Sequence, residues 1–303
     1  MNTELEQLNA RHALGQSLKF SRDPGGLIVA EIENPLASAR LSLLGAHLLQ
    51  WRPRTTSLPV IWYSPKAQLV AGKPPHSGAP VCWPWFGANP LLPDSPFMHG
   101  CARKQSWEVM ESGLAENGAT RLLMRLLPSV ELHQQWPYSA QLTLELVIGE
   151  TLRMTLTTTN TGDQPCQITE ALHTYFQVGD VAAARVLGLE DCVYLDKAAN
   201  FAQGKQQGAV TFSGEVDKIY VDTETECVIE DPALRRQIRI AKSGSASTVV
   251  WTPWREKAAA MSDVAEEWPH MLCVESANAA HNAVTLAPGG IHEMRVEYGV
   301  SAM

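Results

Sequence analysis

A chain of 303 residues, 45% hydrophobic and 18% charged, is long enough to bury a large core, as two ordinary domains or as one large all-β domain. Its net charge of −8 argues against nucleic acid or an anionic membrane surface as the main partner, so an anionic ligand needs a local basic site. No apolar run reaches the length of a membrane span, the first fifteen residues lack a signal-like apolar stretch, and six cysteines are scattered without CxxC or metal-ligand spacing. Those features predict reduced thiols in a cytoplasmic protein.

Leu5 to Leu14 patterns as a short amphipathic helix inside an N-terminal extension over residues 1–20. After Pro24-Gly25-Gly26 the texture turns to short strands: 27–32, 37–43, 47–51 and Val60–Tyr63. From Lys73 to Arg103 the chain is rich in Pro, Gly and aromatics without a period, and with too many tryptophans for disorder, so it is expected to line a pocket. Strands resume at 106–110 and 121–127, and 141–148 with 152–159 reads as a hairpin around Gly149-Glu150.

The stretch Ala171-Leu172-His173-Thr174-Tyr175-Phe176-Gln177-Val178-Gly179 alternates as a strand, with His173, Tyr175 and Gln177 on one face and Leu172, Thr174, Phe176 and Val178 on the other. One face reads as core and the other as the floor of a polar site. Further strands follow at 185–189, 193–195, 210–212, 218–221, 227–230, 237–241 and 247–251, then a helical segment from Glu256 to Trp268, then strands at 271–275 and 291–299. Many short strands, few helices and no dividing linker favour a large antiparallel β-sandwich, all-β, as a single domain over residues 1–303.

No nucleotide-binding glycine loop, nucleophile elbow or zinc helix is present. What the sequence offers is Gly78-Ala79-Pro80-Val81-Cys82-Trp83-Pro84-Trp85-Phe86-Gly87, His99-Gly100-Cys101-Ala102-Arg103, the His173 strand, Val216-Asp217-Lys218-Ile219-Tyr220 and Leu272-Cys273-Val274-Glu275. In this order the segments resemble the hexose-6-phosphate mutarotases (glucose-6-phosphate 1-epimerases) of the wider aldose 1-epimerase family, over roughly Leu41 to Val300. The resemblance implies a galactose mutarotase-like β-sandwich and cofactor-free interconversion of the anomers of a sugar 6-phosphate. It also implies His173 as general acid, Glu275 as general base, and His99, Arg103 and Asp217 as substrate contacts. Of the three loop aromatics Trp83, Trp85 and Phe86, Trp85 is the one expected to stack on the sugar.

One departure stands out. Where the family commonly reads Arg-Gly-Gly-x-Pro, with the arginine on the phosphate, this chain reads His76-Ser77-Gly78-Ala79-Pro80. An imidazole replaces a guanidinium fork. Three alternatives stay open: His76 itself meets the phosphate, Lys73 or Lys104 compensates, or the preferred sugar is unphosphorylated.

Anomer exchange needs a proton removed from the C1 hydroxyl while another reaches the ring oxygen, so one base and one acid on opposite sides of a sugar suffice, with no metal or cofactor. Partial burial after the apolar run 271–274 is expected to raise Glu275, and Asp217 is the anion expected to keep His173 protonated. Glu170, three residues from His173, belongs on the other face. The partner is then a small sugar phosphate bound by a monomer; a non-catalytic sugar-binding module would not need both an acid and a base.

Overall fold

The computed structural model describes residues 2–303, and four antiparallel sheets carry it. A helix at Asn2–His12 leads into a four-stranded meander of Leu18–Arg22, Ile28–Glu33, Ala37–Ser42 and His47–Pro53. The first of these strands begins within the stretch read as an extension, and it is tied down: Leu18 and Phe20 are buried, and the Asn9 amide bonds both backbone groups of Phe20.

The two large sheets set the architecture. A nine-stranded sheet runs in the order 210–211, 185–187, 227–231, 236–243, 291–302, 152–160, 140–148, 120–126, 107–114. An eight-stranded sheet runs 202–205, 193–196, 216–220, 247–252, 271–278, 170–172, 81–82, with Tyr175–Gln177 also paired to Met271–Asn278. Their facing sides interdigitate: Leu144, Leu156, Val296 and Tyr298 from one sheet share a core with Leu172, Phe176, Val250 and Val274 from the other. The period-two alternation in both sets of strands is what makes one face of each sheet apolar.

Several expectations need correction. Val60–Tyr63 is not a ladder strand; Pro59 and Pro65 bracket it, and only Ile61 bridges Phe176. The single helix expected from Glu256 to Trp268 is instead a short helix at Trp254–Ala258 and a 3-10 turn at Ala265–His270. Trp254 and Ala265 adopt left-handed backbone (φ 57° and 41°), so the chain bends at both. The bend between them is held by the Asp263 carboxylate, which accepts from the His76 backbone N–H at 2.8 Å.

The His173 strand is also interrupted. The N–H groups of His173 and Tyr175 donate to Pro80 and Gly78, and that of Thr174 turns back to Leu172. Register nevertheless runs through the break: Leu172 opposes Ser276 and Tyr175 opposes Cys273, which puts His173 directly across from Glu275. As expected, Leu172, Phe176 and Val178 are core, while His173 and Tyr175 face the other way.

Glu170 does lie on the core face, where it is fully buried. Its carboxylate accepts from Asn278 at 3.1 Å and pairs with His292 Nε2, from the nine-stranded sheet, at 2.9 Å. That bond raises His292 above the ordinary histidine range. The contribution to stability is full below the unfolded-state value and is lost as pH rises through the raised one. Urea midpoints therefore fall between pH 6 and pH 8.5 more steeply in the wild type than in His292→Gln; parallel curves would remove this pair as a source of pH dependence.

Candidate active site

The outer face of the eight-stranded sheet carries a grid of side chains set by strand register. In the central strands Asp217 opposes Trp251, Trp251 opposes Cys273 and Cys273 opposes Tyr175. One step along lies the row Val249, Glu275, His173. Residues directly opposed across antiparallel strands share a face, so the grid follows from register alone.

Over this floor opens a cleft of about 380 Å³. His76, Phe86 and His99 come from the 73–103 loop, Lys197 from the 3-10 turn Lys197–Ala199, and Lys257, Ala260 and Met261 from the bent segment after Trp254. The loop is pinned from below. His47 donates through Nε2 to the Ser77 carbonyl at 2.7 Å, and burial holds His47 down to about 4, so it is neutral. Gly100, next to His99, has φ 73°, and a Cβ there would meet the Trp83 carbonyl oxygen at 2.0 Å; only glycine allows that approach.

His173 Nε2 and Glu275 Oε1 are 3.4 Å apart, with the Glu275 side chain 1% exposed and that of His173 12% exposed. Two atoms of the pair, His173 Nδ1 and Glu275 Oε2, are buried without a hydrogen-bond partner. Burial drives His173 well below the ordinary histidine range and Glu275 well above the carboxylate range; the charges of Lys197 and Arg103 partly oppose the second shift. Low dielectric disfavours a lone charge of either sign here, so the pair holds one proton between its two members. The pair lies side by side on the floor, which corrects the expectation of an acid and a base on opposite sides of the sugar. O1 and O5 of a pyranose are both bonded to C1, so one edge of the ring meets both groups.

Of the residues expected from the sequence, His173, Glu275, His76, His99 and Asp217 line the cleft; Trp85 and Arg103 do not. Trp85 is buried in the main core with its Nε1 donating to the Phe97 carbonyl, and its neighbour Phe86 takes the place at the cleft wall. Arg103 donates to the Met98 carbonyl at 2.9 Å and reaches the site only through its field. Asp217 pairs with Lys197 at 3.1 Å; the carboxyl group beside His173 is that of Glu275. His99 stacks edge-on against both Phe86 and His173. Its Nδ1 accepts from the Gly87 N–H, and burial lowers it to about 3, so it presents a neutral ring with the proton on Nε2.

Lys197, Lys257 and Trp251 are not singled out as site residues by the sequence, and Phe86 is one of three loop aromatics of which Trp85 is the expected one. The lysines sit in irregular segments where no period assigns a face, whereas Trp251 was within reach once Asp217 was paired with it. His76 stands at the rim, bonded through Nδ1 to Asp263 at 3.0 Å, and a second hollow of about 530 Å³ containing Lys66 and Lys73 begins on its other side. Lys104 instead lies over the ring of Phe97.

An imidazole and a carboxylate sharing one proton at the floor of a polar, aromatic-walled cleft on a β-sandwich define an acid/base site for a sugar-sized ligand. The chain belongs to the aldose 1-epimerase family, whose model matches residues 29–299. A relative from Cenchrus ciliaris is 34% identical over 88% of this chain and 81% of its own length, and one from Escherichia coli K12 is 32% identical over 82% of each; both carry the provisional name glucose-6-phosphate 1-epimerase. The crystal structure of YeaD from Salmonella typhimurium, provisionally described as a mutarotase, superposes with a TM-score of 0.88 at 26% identity over all of both chains. The galactose mutarotase-like sandwich expected from the sequence is the observed fold. Among the described residues no helix is long and apolar enough to cross a membrane.

Proposed function

We propose that this epimerase interconverts the α and β anomers of glucose 6-phosphate, with Glu275 as base and His173 as acid. The observation that carries the reading is the 3.4 Å pair on the floor of an open cleft with cationic walls. Glu275 takes the proton of the C1 hydroxyl while His173 delivers one to O5. The C1–O5 bond breaks, the open aldehyde turns about C1–C2, and closure on the other face returns both protons with the roles exchanged. Trp251 and Phe86 offer flat apolar surfaces to the ring, and the neutral Nε2–H of His99 donates to a sugar hydroxyl.

The phosphate is met by Lys257 together with His76, which stand on the cleft wall in place of the missing arginine. Each already has a carboxylate neighbour, Glu215 at 2.5 Å and Asp263 at 3.0 Å, which fixes the side chain in place but competes with the phosphate for it. The relatives' names support the phosphorylated substrate. The protein acts as a monomer of the cytoplasm, folded as one domain; six unpaired thiols support a reducing compartment.

A competition between glucose and glucose 6-phosphate, followed by anomeric exchange, tests the reading. The phosphorylated sugar is expected to be used with the higher kcat/KM. Lys257→Ala raises KM for it by about tenfold, the low end for a hydrogen bond to a charged group. The same variant leaves glucose unchanged. Equal efficiency toward the two sugars would remove the phosphate from the proposal and leave a general aldose epimerase.

A further inference from the structure

The floor of the cleft holds a third reactive atom that proton exchange does not use. Cys273 lies two residues before Glu275 on the same strand face, fully buried, between Trp251 and Tyr175 in the cross-strand row. Its Sγ, a nitrogen of His173 and a carboxylate oxygen of Glu275 all lie within 4.8 Å of one another. Ligands at zinc distances in a tetrahedron stand roughly 3.3–3.6 Å apart. The 3.4 Å between His173 and Glu275 already matches that edge. The other nitrogen and oxygen of the same two side chains, His173 Nδ1 and Glu275 Oε2, are buried without a hydrogen-bond partner, so neither side chain is committed to another group of the protein.

We propose that His173, Cys273 and Glu275 form a zinc site, one nitrogen, one sulfur and one oxygen, whose occupation shuts off epimerisation. Metal enters from the cleft, which His173 and Glu275 line, and the fourth position stays open to water. Binding displaces the Cys273 thiol proton and the proton shared by the histidine and the glutamate, and both go to solvent. With its lone pair on the metal His173 carries no proton for O5, and Glu275 accepts none from O1. Mixed imidazole, thiolate and carboxylate donors suit Zn²⁺ or Cd²⁺ and reject Mg²⁺ and Ca²⁺, which want oxygen alone. The inhibition rests on the acid/base reading above; the binding does not.

Chelator-stripped full-length protein is titrated with Zn²⁺ against a fluorescent zinc indicator, and separately with Cd²⁺ while the ultraviolet thiolate-to-metal band is followed. One equivalent binds the wild type, and Cd²⁺ gives the band. Cys273→Ala weakens Zn²⁺ binding by at least about 100-fold, the upper end of what losing even an outer-shell partner costs. The band disappears in that variant and in Cys273→Ser, but survives in Cys82→Ala. Anomer exchange by the wild type is suppressed by one equivalent of Zn²⁺ and restored by EDTA, while the exchange rate of Cys273→Ala, whatever its zinc-free value, does not change when zinc is added. Absence of stoichiometric binding, or binding and a band that survive both Cys273 substitutions, overturns the site. Zinc bound through Cys273 without loss of exchange would instead overturn the acid/base roles of His173 and Glu275.

Discussion

Glu275→Gln and His173→Asn each slow anomer exchange of glucose 6-phosphate by about 10²–10⁴-fold, the range of a well-placed general acid or base. Both variants keep the shape and hydrogen-bonding capacity of the floor but remove the group that gains or gives the proton. Because the two side chains share one proton and work as a unit, the double variant is no slower than the worse single one. The pH profile carries the same information. Activity falls on the acid side as the pair takes a second proton and on the alkaline side as it loses its last. Burial resists both charged extremes, lowering His173 and raising Glu275, so the acid limb lies below the ordinary histidine range and the two limbs stand far apart. Exchange spectroscopy on the anomeric protons between pH 4 and pH 10 reads both effects. Full activity in either single variant would show that the roles are misassigned.

Arg236→Ala destabilises the fold by about 3–5 kcal/mol, the cost of leaving one member of a buried ion pair alone. Asp231 is fully buried and lies 3.6 Å from Arg236 Nε, while its oxygens accept the backbone N–H groups of Gly179 and Leu234. The Arg236 guanidinium donates to the carbonyls of Pro59 and Gln177. These bonds pin the far end of the segment that carries His173, so both stability and the placement of the floor suffer. Replacing the pair together, Arg236→Met with Asp231→Leu, recovers much of the loss because no lone charge remains. Chemical denaturation at pH 7 compares the three proteins, and a double variant as unstable as the single one would show that packing, not the orphaned carboxylate, sets the cost.

The floor of the site was legible in the sequence because alternation along a strand assigns a face without any knowledge of the partner strand. His173 with Tyr175, and Glu275 after its apolar run, announced themselves that way. Their direct opposition was not legible, since register between strands a hundred residues apart depends on the intervening sheet. The walls were harder still. Trp85 and Phe86 differ by one position in a proline-broken loop, and which of them turns inward is decided by contacts with Phe97 and Thr169. Lys197 stands in a 3-10 turn and Lys257 in a single short helical turn, both too short for periodicity to assign a face. The expected helix over 256–268 failed for a related reason: helix-forming residues were overridden by the contacts of Asp263 with the opposite rim.

The proton-exchanging groups stand on directly opposed positions of neighbouring strands, an arrangement that register alone imposes. The placement of the chemistry therefore comes from main-chain geometry, while the segments that wall the cleft are irregular connections outside that lattice. Substitutions in those connections can alter how a sugar is gripped and leave the reaction intact; the departure at His76 changes how the phosphate is held and leaves the acid/base pair untouched.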